Sequence, residues 1–163
     1  MTAIAMKRIA KDLNVLKTDI SRSAPVVSLI AAVESENVYQ WHIVARAPAD
    51  SIYSSNSDEA QQKKKNAYRL SVIFTDDYPD KPPKVSFITN IYSPLVGEKG
   101  DVCERLTEKD WTPDQRATNV IMRVLNEVFS GYKNNDDYDL NHDARRCLKE
   151  EPEVFEKRAQ CPF

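Results

Sequence analysis

The chain predicts an α+β fold: an N-terminal helix, a four-stranded antiparallel sheet, a long ordered loop that carries the site, and C-terminal helices. Three observations lead there. Apolar residues at helical spacing open the chain, four runs of β-branched and aromatic residues follow with short polar joints, and a second, stronger helical stripe comes after the last run.

In order along the chain, residues 3–17 place Ile9, Leu13 and Leu16 on one helical face, with Thr2 as the cap and Lys7, Arg8, Lys11 and Asp12 mostly on the other face. Pro25 ends that pattern. Runs 26–33 and 38–47 read as a hairpin across the polar ESEN joint, and 67–75 and 84–89 add two more strands. Short joints favour an antiparallel meander, because a parallel pair needs a crossover of about a dozen residues. Residues 54–66, polar and carrying three lysines near their end, read as a mobile surface insertion within a single domain spanning 1–163.

Residues 90–113 form a long, charged loop without a periodic pattern, yet Ile91, Tyr92, Leu95, Val96, Val102, Leu106 and Trp111 require burial, so the loop is ordered. Residues 115–130 carry the apolar stripe Ala117, Val120, Ile121, Val124, Leu125 and Val128. A turn region follows at 131–139. Short helices are expected over 143–148 and over 153–159, the latter opened by Pro152.

Bulk chemistry excludes several functions. The 163 residues are 41% hydrophobic and 29% charged with a net charge of −2, which gives no electrostatic drive toward nucleic acid or an anionic membrane. No apolar run reaches the ~18–20 residues that span a bilayer, and the charge-interrupted N-terminus does not read as a signal peptide. Three cysteines at wide spacing (Cys103, Cys147, Cys161) and two histidines (His42, His142) make neither a disulfide framework nor a metal site, and a reducing compartment is expected. Three glycines leave no phosphate-binding loop. His42 reads as a packed or surface residue of a strand. Spacing alone makes Cys103 one cysteine in an ordered loop.

The stretch YPDKPPKVSFITNIYSPLVGEKGDVCERLTEKDWTP (78–113) resembles the ubiquitin-conjugating enzyme family. The shared marks are Tyr78-Pro79, Lys81-Pro82-Pro83-Lys84, Ile91-Tyr92, nine positions from Pro94 to Cys103, Gly100, Asp110-Trp111 and Pro113. The resemblance covers nearly the whole chain except 54–66. It implies that Cys103 carries ubiquitin or a ubiquitin-like protein as a thioester. It also implies partners: an activating enzyme that consumes ATP and meets Lys7, Arg8 and Lys11, a ligase that meets the loops of Asp80 and Pro113, and a protein substrate. No bound cofactor or metal is implied, and the expected location is the cytoplasm, the nucleus or both.

The same resemblance marks departures. Ser93-Pro94-Leu95 stands where the family has His-Pro-Asn, so the side chain held to stabilise the oxyanion is missing. One lost oxyanion donor costs about a hundred- to thousandfold in rate, leaving Ser93, Asn90 or a backbone amide to substitute, or else slow lysine transfer. Asp80 replaces a ligase-contacting phenylalanine. The family's acidic gate falls among Asp136, Asp137 and Asp139. Ubiquitin is the favoured modifier, with a neddylation-type enzyme and a non-catalytic scaffold as alternatives.

Overall fold

The computed structural model describes residues 3–21, 28–32, 39–48, 50–54 and 67–160. Helix α1 (Ala3–Ser21) leads into strands β1 (Ser28–Ala32), β2 (Gln40–Arg46), β3 (Ala67–Ile73) and β4 (Lys84–Phe87). Helices α2 (Glu104–Glu108), α3 (Ala117–Phe129), α4 (His142–Glu150) and α5 (Pro152–Gln160) follow, with a 3₁₀ turn at Gly131–Lys133. The expected cap at Thr2, the break at Pro25, the ESEN turn, residues 55–66 and Cys161 lie outside the described residues.

The sheet is the expected antiparallel meander in the order β1-β2-β3-β4. Its register sets apolar residues opposite one another: Trp41 faces Val72, Ile43 faces Leu70, and Leu70 in turn faces Phe87. Strand alternation then buries Trp41, Ile43 and Ala45 on one side and leaves Gln40, His42, Val44 and Arg46 half-buried on the other. On that outer face Gln40 Nε2 donates to His42 Nε2 at 3.2 Å and to Ser71 Oγ at 3.0 Å. It is a surface histidine of the sheet.

Helix α3 closes the core over the inner face of the sheet. Its predicted stripe is buried in full, and Phe129 meets Tyr68 and Phe87 at ring separations of 5.4 and 6.4 Å. Burial of so many large apolar side chains in one cluster is the main favourable contribution to folding.

Three expectations need correction. Asp12 is not on the solvated face of α1; it is 0% exposed. Its carboxylate accepts hydrogen bonds from the Tyr78 hydroxyl and the backbone N–H of Ala117, and it pairs with Arg8 at 3.2 Å. A carboxylate at the positive end of α3 completes donors that the helix leaves unpaired. Second, Ser54, the first residue of the expected mobile insertion, is buried, and its N–H bonds Ser51 O at 3.0 Å. Third, the 90–113 loop is not without regular structure, because α2 begins immediately after Cys103.

Candidate active site

Cys103 is presented by a short arch of backbone. Val96 and Val102 form an isolated antiparallel bridge, Gly97 N–H bonds Asp101 O at 2.9 Å, and Gly100 N–H closes the turn onto Gly97 O at 2.9 Å. The arch is fastened to β4 by Phe87 N–H to Gly100 O at 2.7 Å. Gly100 has φ +87°, and a Cβ there would sit 2.0 Å from Phe87 O, so only glycine fits so close to the strand. Val102 and Leu106 enter the core on either side of Cys103, which stays half-buried and free of any disulfide.

Cys103 is the residue from which α2 springs, and its carbonyl accepts Leu106 N–H at 3.0 Å. Exposed Glu104, the residue after Cys103, lies 3.7 Å from Lys84 of β4, a contact of little energetic weight at such exposure. The far end of α2 is held by Arg123, which donates to Lys109 O.

The Ser93-Pro94-Leu95 segment lies deeper than its predicted role requires. Ser93 is 0% and Leu95 1% exposed. Leu95 belongs to the hydrophobic core, and Ser93 Oγ accepts Leu95 N–H at 3.2 Å. Buried Tyr53 donates to Tyr92 O at 2.6 Å beside Ser93, and burial pushes that phenol well above its ordinary pKa. Ser93 is therefore a structural hydroxyl, which removes it as the exposed substitute donor; Asn90 remains exposed. Pro94 O accepts N–H groups from both Leu140 and Asn141 at 3.0 Å, tying this loop to the start of α4. Asn141 Oδ1 in turn caps α4 through Ala144 N–H at 3.0 Å.

The three candidate gate carboxylates separate by environment. Asp139 is not available as a gate: buried, it forms a bidentate pair with Arg145, at 2.6 Å to Nε and 2.7 Å to Nη2. Asp136 and Asp137 are exposed, Asp136 lying 3.8 Å from Lys149. Arg105 of α2 donates to Asp137 O at 2.6 Å, and its guanidinium stands 5.8 Å from the Tyr138 ring, with Lys109 at 6.0 Å. The Asp136–Asp137 apex thus rests on the helix that starts at Cys103.

The partner-facing candidates divide similarly. Lys7 and Lys11 are exposed, whereas Arg8 turns inward to Asp12 and donates to Gln115 O. Asp80 and Pro113 are exposed on two loops joined by Trp111 Nε1 donating to Pro79 O at 3.0 Å. Among the described residues no group of histidine, cysteine or carboxylate side chains is arranged to hold a metal ion, and no helix is long and apolar enough to cross a membrane.

Sequence reasoning missed Arg105, Tyr138, Arg145 and the buried role of Asp12. The i, i+4 spacing of Arg105 and Lys109 on one helical turn was the one local signal available for the α2 clamp.

An N-terminal helix, an antiparallel meander, a cysteine on a braced arch and C-terminal helices define a conjugating-enzyme type of fold, and the comparisons agree. Residues 8–161 match the family described as Ubiquitin-conjugating enzyme. Ubiquitin-conjugating enzyme E2 13 of Schizosaccharomyces pombe is 30% identical over 150 residues, covering 91% of this chain and 89% of that protein. A solved structure of a ubiquitin conjugating enzyme from Trypanosoma cruzi aligns with TM-score 0.84 at 40% identity, covering 98% of this chain and 99% of that one. The chain belongs to the ubiquitin-conjugating enzyme family.

Proposed function

We propose that this enzyme carries ubiquitin as a thioester on Cys103 and passes it to a ligase or to a substrate lysine. The observation that carries the reading is the placement of Cys103: half-exposed, unpaired, and fixed between the Gly97–Gly100 arch and α2. The Cys103 thiolate attacks the modifier's C-terminal carbonyl on the activating enzyme; a C–S bond forms and the activating enzyme's sulfur leaves as thiolate. A lysine amine then attacks the same carbonyl, a C–N bond forms, the Cys103 C–S bond breaks, and one amine proton passes to solvent or a nearby carboxylate. ATP is consumed by the activating enzyme, and no cofactor is held here. A reducing cytoplasm or nucleus keeps the thiol free.

Both named relatives are ubiquitin-conjugating enzymes, which supports ubiquitin over a neddylation-type modifier. Lys7 and Lys11 form the surface offered to the activating enzyme, and Asp80 with Pro113 the surface offered to a ligase lacking an aromatic-accepting pocket. One observation favours a second reading, a scaffold that binds modifier or ligase without transferring: Ser93 and Leu95 are both buried and supply no side-chain donor at the thioester.

A loading assay tests the proposal. The protein is combined with ATP, an activating enzyme and ubiquitin or a ubiquitin-like protein, then resolved with and without reductant. A reductant-sensitive adduct absent from Cys103→Ala is expected. No adduct with any matched pair of modifier and activating enzyme would sink it.

A further inference from the structure

One buried cation organises the loop between Tyr132 and Asp139. Arg145, on the first turn of α4, spends its donors on three points of one segment: Tyr132 O at 2.7 Å, Asn135 O at 2.9 Å and the Asp139 carboxylate. The side chains of Arg145 and Asp139 are 9% and 6% exposed, so the pair is shielded from solvent. A planar guanidinium satisfies all these acceptors at once, which an ammonium group cannot do.

The segment so closed has two outward attachments. Immediately after Asp139, the N–H groups of Leu140 and Asn141 hold Pro94 O. At its apex, Asp137 O and the Tyr138 ring meet Arg105, two residues beyond Cys103. A continuous line of contacts therefore runs from Arg145 through Asp139 and the 135–138 apex to the helix that begins at the candidate thiol.

We infer that Arg145 is a positioning residue for transfer: it fixes the apex against α2, so that the exposed carboxylates of Asp136 and Asp137 stand where an incoming lysine ammonium approaches Cys103. Arg105 is the contact through which it acts. This rests on the reading of Cys103 as the thioester carrier. Small misplacements of such groups change rates on the order of a hundredfold.

The test follows discharge of the preformed thioester onto free lysine, measured against loading of the same preparation. Variants are Arg145→Lys, the paired Asp139→Leu with Arg145→Met, and Arg105→Gln at the surface. Discharge relative to loading is expected to fall on the order of tenfold to a hundredfold, in kcat rather than in KM for lysine. In an Asp136→Asn, Asp137→Asn background the Arg145 substitutions should add no further slowing. Unchanged discharge in a folded variant overturns the inference, as does slowing that multiplies in full with the Asp136 and Asp137 changes. If the paired variant does not fold, Arg105→Gln decides alone by the same criterion. A wild type that fails to load overturns the thioester reading and this inference together, whereas normal loading with unaltered variant discharge overturns this inference only.

Discussion

The hydroxyl of Tyr78 donates to the carboxylate of Asp12, 66 positions earlier in the chain. The bond joins the buried face of α1, whose exposed face bears Lys7 and Lys11, to the loop that bears Asp80. Because Asp12 also receives Ala117 N–H, one carboxylate locks the first helix, the 78–83 loop and the start of α3 together.

Asp12→Ala removes a buried anion and leaves its donors without a partner. Loss of one member of a buried ion pair costs about 3–5 kcal/mol, and a destabilisation of about 3 kcal/mol is expected here because Arg8 is partly exposed. Lys11→Ala, at an exposed position, should stay within about 0.5 kcal/mol. Urea unfolding midpoints at unchanged slope make the comparison. Equal effects of the two substitutions would contradict the arrangement.

Reversing charge at Lys7 and Lys11 separates surface from structure in a different way. Lys7→Glu with Lys11→Glu should leave stability near the wild type and slow loading by the activating enzyme, with the deficit shrinking at high salt. Arg8→Ala should do the converse, lowering stability by its loss from Asp12 and Gln115 O. Loading rates that ignore the double reversal would remove this face from the proposed activating-enzyme surface.

At Gly100, alanine meets both a positive φ and the Phe87 carbonyl. Gly100→Ala should cost about 1–3 kcal/mol or more and reduce loading beyond what the unfolded fraction accounts for, since the arch that presents Cys103 must shift. Thermal melts and the loading assay on the same samples provide both numbers.

Leu95 makes the family's asparagine costly to restore. Leu95→Asn places an amide in apolar surroundings and forfeits leucine's packing, so a loss of about 3 kcal/mol or more is expected. Faster discharge with undiminished stability would show that the side chain at 95 can reach the thioester, against its burial.

The buried phenols predict alkaline behaviour. Desolvation raises the pKa of Tyr68 and of Tyr132 from 10.0 to about 12. The folded state therefore keeps protons that the unfolded chain releases above its own tyrosine pKa of about 10. This contribution is fully present below about pH 10 and is lost as pH rises toward about 12, by about 1.4 kcal/mol per pH unit for Tyr68. Denaturation at stepped alkaline pH, alongside ultraviolet titration of tyrosinate, checks it; a flat profile across that window would contradict it.

What was legible in the sequence divides along physical lines. The stripe Val120, Ile121, Val124, Leu125, Val128 was readable because a helix buried on one side repeats every 3.6 residues. The β1–β2 and β3–β4 pairings were readable because their joints are too short for a crossover, whereas the joint from Arg46 to Ala67 does not by itself dictate the β2–β3 pairing. Helix α2 was not, since five residues are too few for a period. Asp12 and Asp139 look like any solvated carboxylate until Ala117 and Arg145 are brought to them, and that pairing is tertiary. The burial of Leu95 was legible from its apolar side chain in an ordered loop, whereas its family position spoke only of the missing donor.

The double acceptance at Pro94 O has a consequence for the order in which the protein is made. A ribosome delivers the loop of Pro94 and then Cys103 well before Leu140 and Asn141, so the carbonyl waits for donors that emerge later. A chain that has emerged only as far as Cys103 lacks that clasp, because both donors belong to residues still to follow. The Ser93–Leu95 segment is thus settled by donors that follow Cys103 in the chain, after the loop bearing the thiol has been made.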